Sequence, residues 1–267
     1  MKTALDRIID YKRDEVAALK ASHSLSRLLD AAKSADAPRG FAAAMDKTVD
    51  TGENALICEL KRKSPSAGEI VPGADPVQIA REYEQGGATC LSILTDFPSF
   101  GGSLDDLVAV RQAVGLPVLR KEFMIDTHQV AEARAYGADA ILVILSAVDD
   151  ALALDLCNAA SDLGMDAIVE VHDADELERA NSLPARLVGI NNRNLKKMTT
   201  DLQTTETLAP QLASDKTLIS ESGISDPSHI SRLRKAGARR FLIGESLMKS
   251  DHREADCKKL RMTSGLT

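Results

Sequence analysis

In the run Glu59-Leu60-Lys61-Arg62-Lys63-Ser64-Pro65-Ser66, an acid and a base are separated by one residue. The stretch before it, Ala55-Leu56-Ile57-Cys58, is apolar and reads as a buried strand, and alternation along a strand puts Glu59 and Lys61 on one face. A carboxylate and an ammonium at the end of a buried strand suit proton transfer or the holding of a charged ligand. Ser64-Pro65-Ser66 then breaks the strand and supplies hydroxyls beside which an anion can sit. Alone, the pair describes a structural ion pair equally well. Recurrence favours chemistry. Other apolar runs end in Thr95 and Asp96, Lys121 and Glu122, Glu170, Asn191, and Glu221 with Ser222. Lys121 by itself is explained as a side chain reaching to solvent, and Asn191 as a turn residue, since Asn192-Arg193-Asn194 follow. Glu170, flanked by Ile168, Val169 and Val171, is harder to explain that way, because a lone buried carboxylate is rare.

The elements that must carry these groups are a series of strand–helix units. Strands are expected at 55–61, 89–95, 117–121, 139–145, 166–171, 186–191, 216–221 and 239–243. Helices are expected near 76–86, 104–114, 127–136, 149–163, 174–181, 202–212 and 227–236. Asp75-Pro76 and Asp226-Pro227 have the form of an N-cap followed by proline in the first helical turn. Strands such as Ala140-Ile141-Leu142-Val143-Ile144-Leu145 are apolar on both faces, as parallel strands covered by helices are. Eight such units predict an α/β fold, a (β/α)8 TIM barrel with an N-terminal helical extension, whose active site lies at the carboxyl ends of the strands. The rival, an open doubly wound sheet, lacks support because no G-x-G-x-x-G follows the first strand. The 267 residues are expected to form one domain: an extension over 1–50, a barrel core over 54–250, and a helix and tail over 251–267. Within the extension, amphipathic helices are expected from about Leu5 to Leu19 and from Ser24 to Ala35, with 36–53 a polar, less regular connection. Three roles are open to it: capping the barrel bottom, covering the site, or mediating oligomers.

A net charge of −7 argues against a nucleic-acid surface or an anionic membrane as partner, so any phosphate site must be local. No apolar run approaches the ~20 residues of a membrane span, and the N-terminus has no apolar signal core. Cys58, Cys90, Cys157 and Cys257 lie far apart, as reduced thiols of a cytoplasmic protein do. The five histidines are scattered without metal-ligand spacing, and His172 is expected to be a satisfied surface residue. Ser222-Gly223-Ile224 and Gly244-Glu245-Ser246 follow the seventh and eighth strands. Loops there, with free N–H groups, are a recurring phosphate site in this fold. Ser64 adds a hydroxyl, whereas the Glu245 carboxylate must point away from an anion.

Ile57-Cys58-Glu59-Leu60-Lys61-Arg62-Lys63-Ser64-Pro65-Ser66 resembles the signature of the indole-3-glycerol-phosphate synthase family. The likeness runs in order through Leu94-Thr95-Asp96, Phe100-Gly101-Gly102-Ser103, Leu119-Arg120-Lys121-Glu122-Phe123 and Ile168-Val169-Glu170-Val171-His172. It continues through Gly189-Ile190-Asn191-Asn192-Arg193-Asn194-Leu195, Ser220-Glu221-Ser222-Gly223-Ile224 and Gly244-Glu245-Ser246-Leu247-Met248. The resemblance implies a lyase of tryptophan biosynthesis. It would close the indole ring of 1-(2-carboxyphenylamino)-1-deoxyribulose 5-phosphate with loss of carbon dioxide and water. It implies Lys121 as general acid, Lys61 as partner of the substrate carboxylate, and Glu170 as the proton-transfer group of the dehydration. Glu59 and Glu221 would position the lysines. Asn191 and Ser222 would hold substrate polar groups, and Arg193 would support its loop. Ser64, Gly223, Gly244 and the Glu245 backbone would bind phosphate, while Pro65, Phe100 and Phe123 line an aromatic slot. No cofactor or metal is implied, and the partner is a phosphorylated small molecule acted on by a monomer or weak homodimer. No second catalytic domain follows residue 250, so a monofunctional chain is expected. The sequence departs from the family at Glu245, where some members carry Ser or Thr, and lacks a tryptophan that some carry in the leading helix.

Two other readings compete. Phosphoribosylanthranilate isomerase chemistry uses an acid–base pair on other strands, often with a cysteine near the first strand end, which fits Glu59 and Lys61 less well. A metabolite-sensing module would bind the ligand without turning it over.

Overall fold

The apolar runs become eight parallel strands that close on themselves in the computed structural model. The structure describes residues 2–194 and 199–262. Leu195 of the family-like segment lies outside the described residues, as do the last residues of the tail. The barrel strands are β1 (Ala55–Leu60), β2 (Cys90–Leu94), β3 (Val118–Lys121), β4 (Ala140–Ile144), β5 (Asp166–Val171), β6 (Leu187–Asn191), β7 (Thr217–Glu221) and β8 (Arg240–Ile243). Every strand bonds to its sequence neighbours, and β1 closes the ring by pairing with both β2 and β8. The order matches the (β/α)8 expectation, and each strand lies within one residue of its expected bounds.

Alternation along the strands builds two cores. On β1, Leu56 and Cys58 point outward to pack under the surrounding helices, while Ala55 and Ile57 point inward to meet Leu119, Leu142, Ile168, Ile219 and Leu242. Each such leucine or isoleucine contributes roughly 1.5–3 kcal/mol by leaving water. Glu59 continues the inward series, so the register that fills the barrel with hydrocarbon also places a carboxylate at its mouth.

Helices are α1 (Ala4–Ser22), α2 (Leu25–Ser34), α3 (Phe41–Asp50), α4 (Pro76–Gln85), α5 (Leu104–Ala113), α6 (Thr127–Ala135), α7 (Asp150–Asp162), α8 (Ala174–Asn181), α9 (Gln203–Leu208), α10 (Pro227–Lys235) and α11 (Arg253–Arg261), besides single turns. Asp75 and Asp226 cap α4 and α10 as their Asp-Pro signals predict, accepting from Val77 N and Ser228 N. The helix expected over 202–212 ends at Leu208 and continues as a tighter turn over Ala209–Gln211, where Pro210 has no N–H to give. No helix among the described residues is long and apolar enough to cross a membrane.

The segment 36–53 is not an irregular connection, since it contains α3. Phe41, Ala42 and Met45 recur at helical spacing and are buried against the amino ends of the strands, which plugs the barrel bottom. The Asp166 carboxylate accepts from Ala42 N at 2.8 Å, in the first turn of α3. Arg39, just before α3, donates to the carbonyls of Arg111, Val114 and Leu116 at the end of α5. The extension thus does two jobs, because α1 lies at the opposite end, across the mouth.

Gly102 lies where the chain after β2 doubles back, and its N–H donates to the Asp96 carbonyl at 3.0 Å. A Cβ there would overlap the Leu94 carbonyl, a backbone atom with no free rotamer. Gly102→Ala is expected to cost about 1–3 kcal/mol in urea denaturation, in the manner of an overpacked core, and to displace Phe100. An unchanged midpoint would mean that the loop yields freely.

Candidate active site

A cavity of about 460 Å³ opens at the carboxyl ends of the strands. Glu59, Lys121, Glu170, Asn191 and Glu221 converge there because each stands last, or next to last, on a strand whose body is locked in the barrel, and the loops that follow the strands bring in the rest. All fifteen residues singled out in the sequence line it: Glu59, Lys61, Ser64, Pro65, Phe100, Lys121, Phe123, Glu170, Asn191, Arg193, Glu221, Ser222, Gly223, Gly244 and Glu245.

Lys121 is the hub. Its Nζ lies 2.7 Å from Glu221 Oε2 and 3.2 Å from Glu170 Oε2. Burial works against the ammonium, but the charges of Glu221, Glu170 and Glu59 outweigh it and hold the Lys121 pKa above that of a free lysine. Beside it, Lys61 Nζ donates to Glu59 Oε1, so the acid and base of β1 do meet. Burial pushes Glu59 up, yet Lys61 and Lys121 together leave its pKa below the ordinary carboxylate value. Two glycines make this packing possible. A Cβ at Gly189 would strike Glu221 Oε1, and one at Gly244 would strike Glu59 Oε1.

Glu170 and Glu221 share one lysine but not one fate. Burial raises both. Lys121, His172 and a hydrogen bond from Asn191 reverse that for Glu170 and hold it well below the usual carboxylate range. Glu221 has Lys121 but also the Glu170 charge opposite, and is pushed up to about 7. Two neighbouring carboxylates whose environments drive them apart are a recurrent arrangement for acid–base work.

The remaining walls divide by chemistry. Phe100 and Phe123 stand with ring centroids 6.0 Å apart at 34°, an apolar slot beside the charged ring. On the other side, Arg193 donates to Ser66 Oγ and reaches Glu245 Oε2 at 3.4 Å, while Lys249 Nζ lies 2.7 Å from Glu245 Oε1. The Glu245 carboxylate is therefore turned onto two cations. Ser222 has φ 68°, the one left-handed non-glycine among the described residues, and Gly223 follows at φ 78°. Such strain costs on the order of 1–3 kcal/mol and persists only where neighbours enforce it. Asn192 enforces it, donating from Nδ2 to the Ser222 carbonyl while its Oδ1 accepts from Thr205 N and Oγ1.

Sequence reasoning missed Lys249, described above, and two further charged groups. His172 is not a surface residue, since its ring lies between Glu170 and Glu176 with the side chain only 10 % exposed. Lys12 of α1 is 2 % exposed and bridges Glu15 at 2.7 Å, Asp96 at 2.8 Å and Glu122 at 2.9 Å. It fixes α1 so that Ala4, Leu5 and Ile8 form one rim of the cavity. In sequence both look like ordinary polar positions. The one available signal was Asp96 and Glu122 at buried strand ends, two anions still wanting a cation.

The sequence profile of the family described as indole-3-glycerol phosphate synthase matches residues 5–260. Indole-3-glycerol phosphate synthase of Hyphomonas neptunium is 64% identical over 256 residues, covering 96% of this chain and 97% of the relative. That of Azospirillum brasilense is 49% identical over 260 residues, covering 97% and 99%. Among solved structures, 3-hexulose-6-phosphate synthase superposes with a TM-score of 0.64 over 78% of this chain and 98% of that one. At 17% identity that likeness speaks for the fold alone. Matched along nearly all its length by profile and relatives alike, the chain belongs to the indole-3-glycerol phosphate synthase family.

Proposed function

We propose that the cavity closes the indole ring of 1-(2-carboxyphenylamino)-1-deoxyribulose 5-phosphate, releasing carbon dioxide and water and leaving indole-3-glycerol phosphate. The observation that carries this is the Lys121 ammonium held among three carboxylates at one end of an apolar slot. The anilino ring lies in the slot between Phe100, Phe123 and Pro65. The phosphate lies toward Arg193, Lys249, Ser64 and the loops at Gly223 and Gly244. The substrate carboxylate meets Lys61.

Ring closure begins when the aromatic carbon bearing the carboxylate attacks the C2 ketone. Negative charge grows on the ketone oxygen, and Lys121 gives it a proton. A lysine held so firmly charged is a weak acid toward a ketone, but a developing alkoxide is a strong enough base to take the proton, so the transfer coincides with bond formation. Loss of carbon dioxide restores the aromatic ring. The new hydroxyl then leaves as water, carrying off a proton from a lysine ammonium, as the C1–H bonding pair becomes the ring's carbon–carbon double bond. Glu170, ionised, takes that C1 proton, while Glu59 and Glu221 hold the lysines and offset positive charge on the anilino nitrogen. Asn191 and Ser222 orient the sugar hydroxyls or carboxylate.

All of these groups come from one chain, which supports action as a monomer or weak homodimer. The four cysteines are free and buried, which supports the reducing cytoplasm as its compartment. Purified protein mixed with the substrate is expected to develop indole fluorescence in proportion to enzyme concentration. Ligand binding with no indole product at high enzyme concentration overturns the assignment and leaves the sensing role.

A further inference from the structure

His172 follows the last residue of β5 and does not line the cavity. Its Nδ1 is 3.0 Å from Glu176 Oε2, in the first turn of α8, and its Nε2 is 3.3 Å from Glu170 Oε1. The same Glu176 oxygen accepts from His172 N at 2.8 Å, which fixes backbone and ring together. Both ring nitrogens thus face carboxylate oxygens. Nδ1 is within hydrogen-bond reach of Glu176, while Nε2, which makes no aligned hydrogen bond, meets Glu170 as a charge contact; a neutral imidazole would turn a lone pair toward one of the two carboxylates, whereas the imidazolium attracts both. Burial disfavours that charge, but Glu170 and Glu176 outweigh it and push the His172 pKa up to about 10.

The consequence falls on Glu170. Its Oε2 faces Lys121 and its Oε1 faces His172, one cation on each oxygen. Glu221 faces Lys121 alone. The other groups around the pair, Glu59 and Asn191, do not distinguish the two carboxylates by a second cation.

We infer that His172 is a positioning residue which, clamped between Glu170 and Glu176, decides which carboxylate beside Lys121 stays ionised as proton acceptor. This rests on the assignment of proton transfer to Glu170 made above. Without His172 the Asn191 hydrogen bond is what still favours the ionised form of Glu170 over that of Glu221, and the proton the two share is directed to Glu221 less strictly.

The test is the pH profile of kcat for wild type and His172→Gln, which keeps an amide donor toward Glu170 and loses the charge. Removing a cation raises the pKa of its carboxylate neighbour. The acid limb is therefore expected to move upward by about one to three pH units, with the deficit largest in acid and smallest in alkali. Glu176→Gln lowers the proton affinity of His172 and is expected to move the same limb in the same direction by less. It also serves if His172→Gln fails to fold. An even loss across pH with the limb in place means a merely structural role and overturns the inference. So does a nitrogen-15 NMR spectrum of the ligand-free protein, assigned against His172→Gln, showing the ring with a single N–H at about pH 8. Absence of turnover in the wild type would instead sink the functional assignment, and the NMR result would still report on the clamp.

Discussion

Lys121→Ala is expected to lower kcat by about 10²–10⁴-fold, the span of a lost general acid, with substrate binding largely retained. Binding is expected to survive because the phosphate end and most of the aromatic slot are built from the loops after β1, β2, β6, β7 and β8. The variant changes the ring of charges as well, since Glu221, Glu170 and Glu59 lose their common cation. Lys121→Arg separates the two effects. It restores a charge between the carboxylates but gives up its proton far less readily and has a wider, planar head. If Lys121→Arg recovers stability in urea but not turnover, the proton of Lys121 is what catalysis needs. If Lys121→Ala stays within a few-fold of wild-type kcat, the acid lies elsewhere, and Lys61 is the first alternative.

Lys12→Met is expected to cost about 3–5 kcal/mol, because it leaves Asp96 and Glu122 as buried anions without their cation. Methionine keeps most of the stem's packing, so the loss reports charge and not volume. The damage also reaches the site. Glu122 is held on one oxygen by Lys12 and on the other by Thr95 Oγ1 at 2.7 Å, and it follows Lys121 directly. Once α1 is released, Leu5 and Ile8 leave the rim, and KM is expected to rise more than kcat falls. The double variant Lys12→Met/Glu122→Gln removes one orphaned charge and is expected to regain part of the stability. Equal urea midpoints for wild type and Lys12→Met would show that the ion cluster contributes nothing to the docking of α1.

The barrel was legible because a strand buried on both faces leaves a continuous apolar run, and its end is marked where a polar residue interrupts it. Glu59, Lys121, Glu170, Asn191 and Glu221 were found by that interruption, which is also why all of them line the cavity. The third helix of the extension was obscured by its neighbours. Phe41, Ala42, Met45 and Val49 have helical spacing, but Asp46, Lys47 and Thr48 lie among them, and the preceding stretch is polar with Pro38 and Gly40. Lys12 and His172 were hidden for another reason. Each lies on a helix or just past a strand, where charge ordinarily faces water, and only distant segments of the chain make them buried. Lys12 needs Asp96 and Glu122 to show its place, and His172 needs the start of α8.

The pairing of β1 with β8 also governs the order in which the site can come into being. Glu59 and Lys61 are near the start of the barrel, yet the glycine that lets Glu59 sit against its neighbour, Gly244, belongs to its last strand connection. α1 precedes the barrel in the chain, yet Glu122, one of the partners of its Lys12, comes only with β3. Long-range closure of this kind is slow, because the chain loses its freedom before the contacts that reward it exist. Until those segments meet, the lysines and carboxylates are expected to stay separate and solvated. The ring of charges around Lys121 lacks Glu221 until β7 is made, and Glu59 gains its seat at Gly244 only when the final strand closes the barrel.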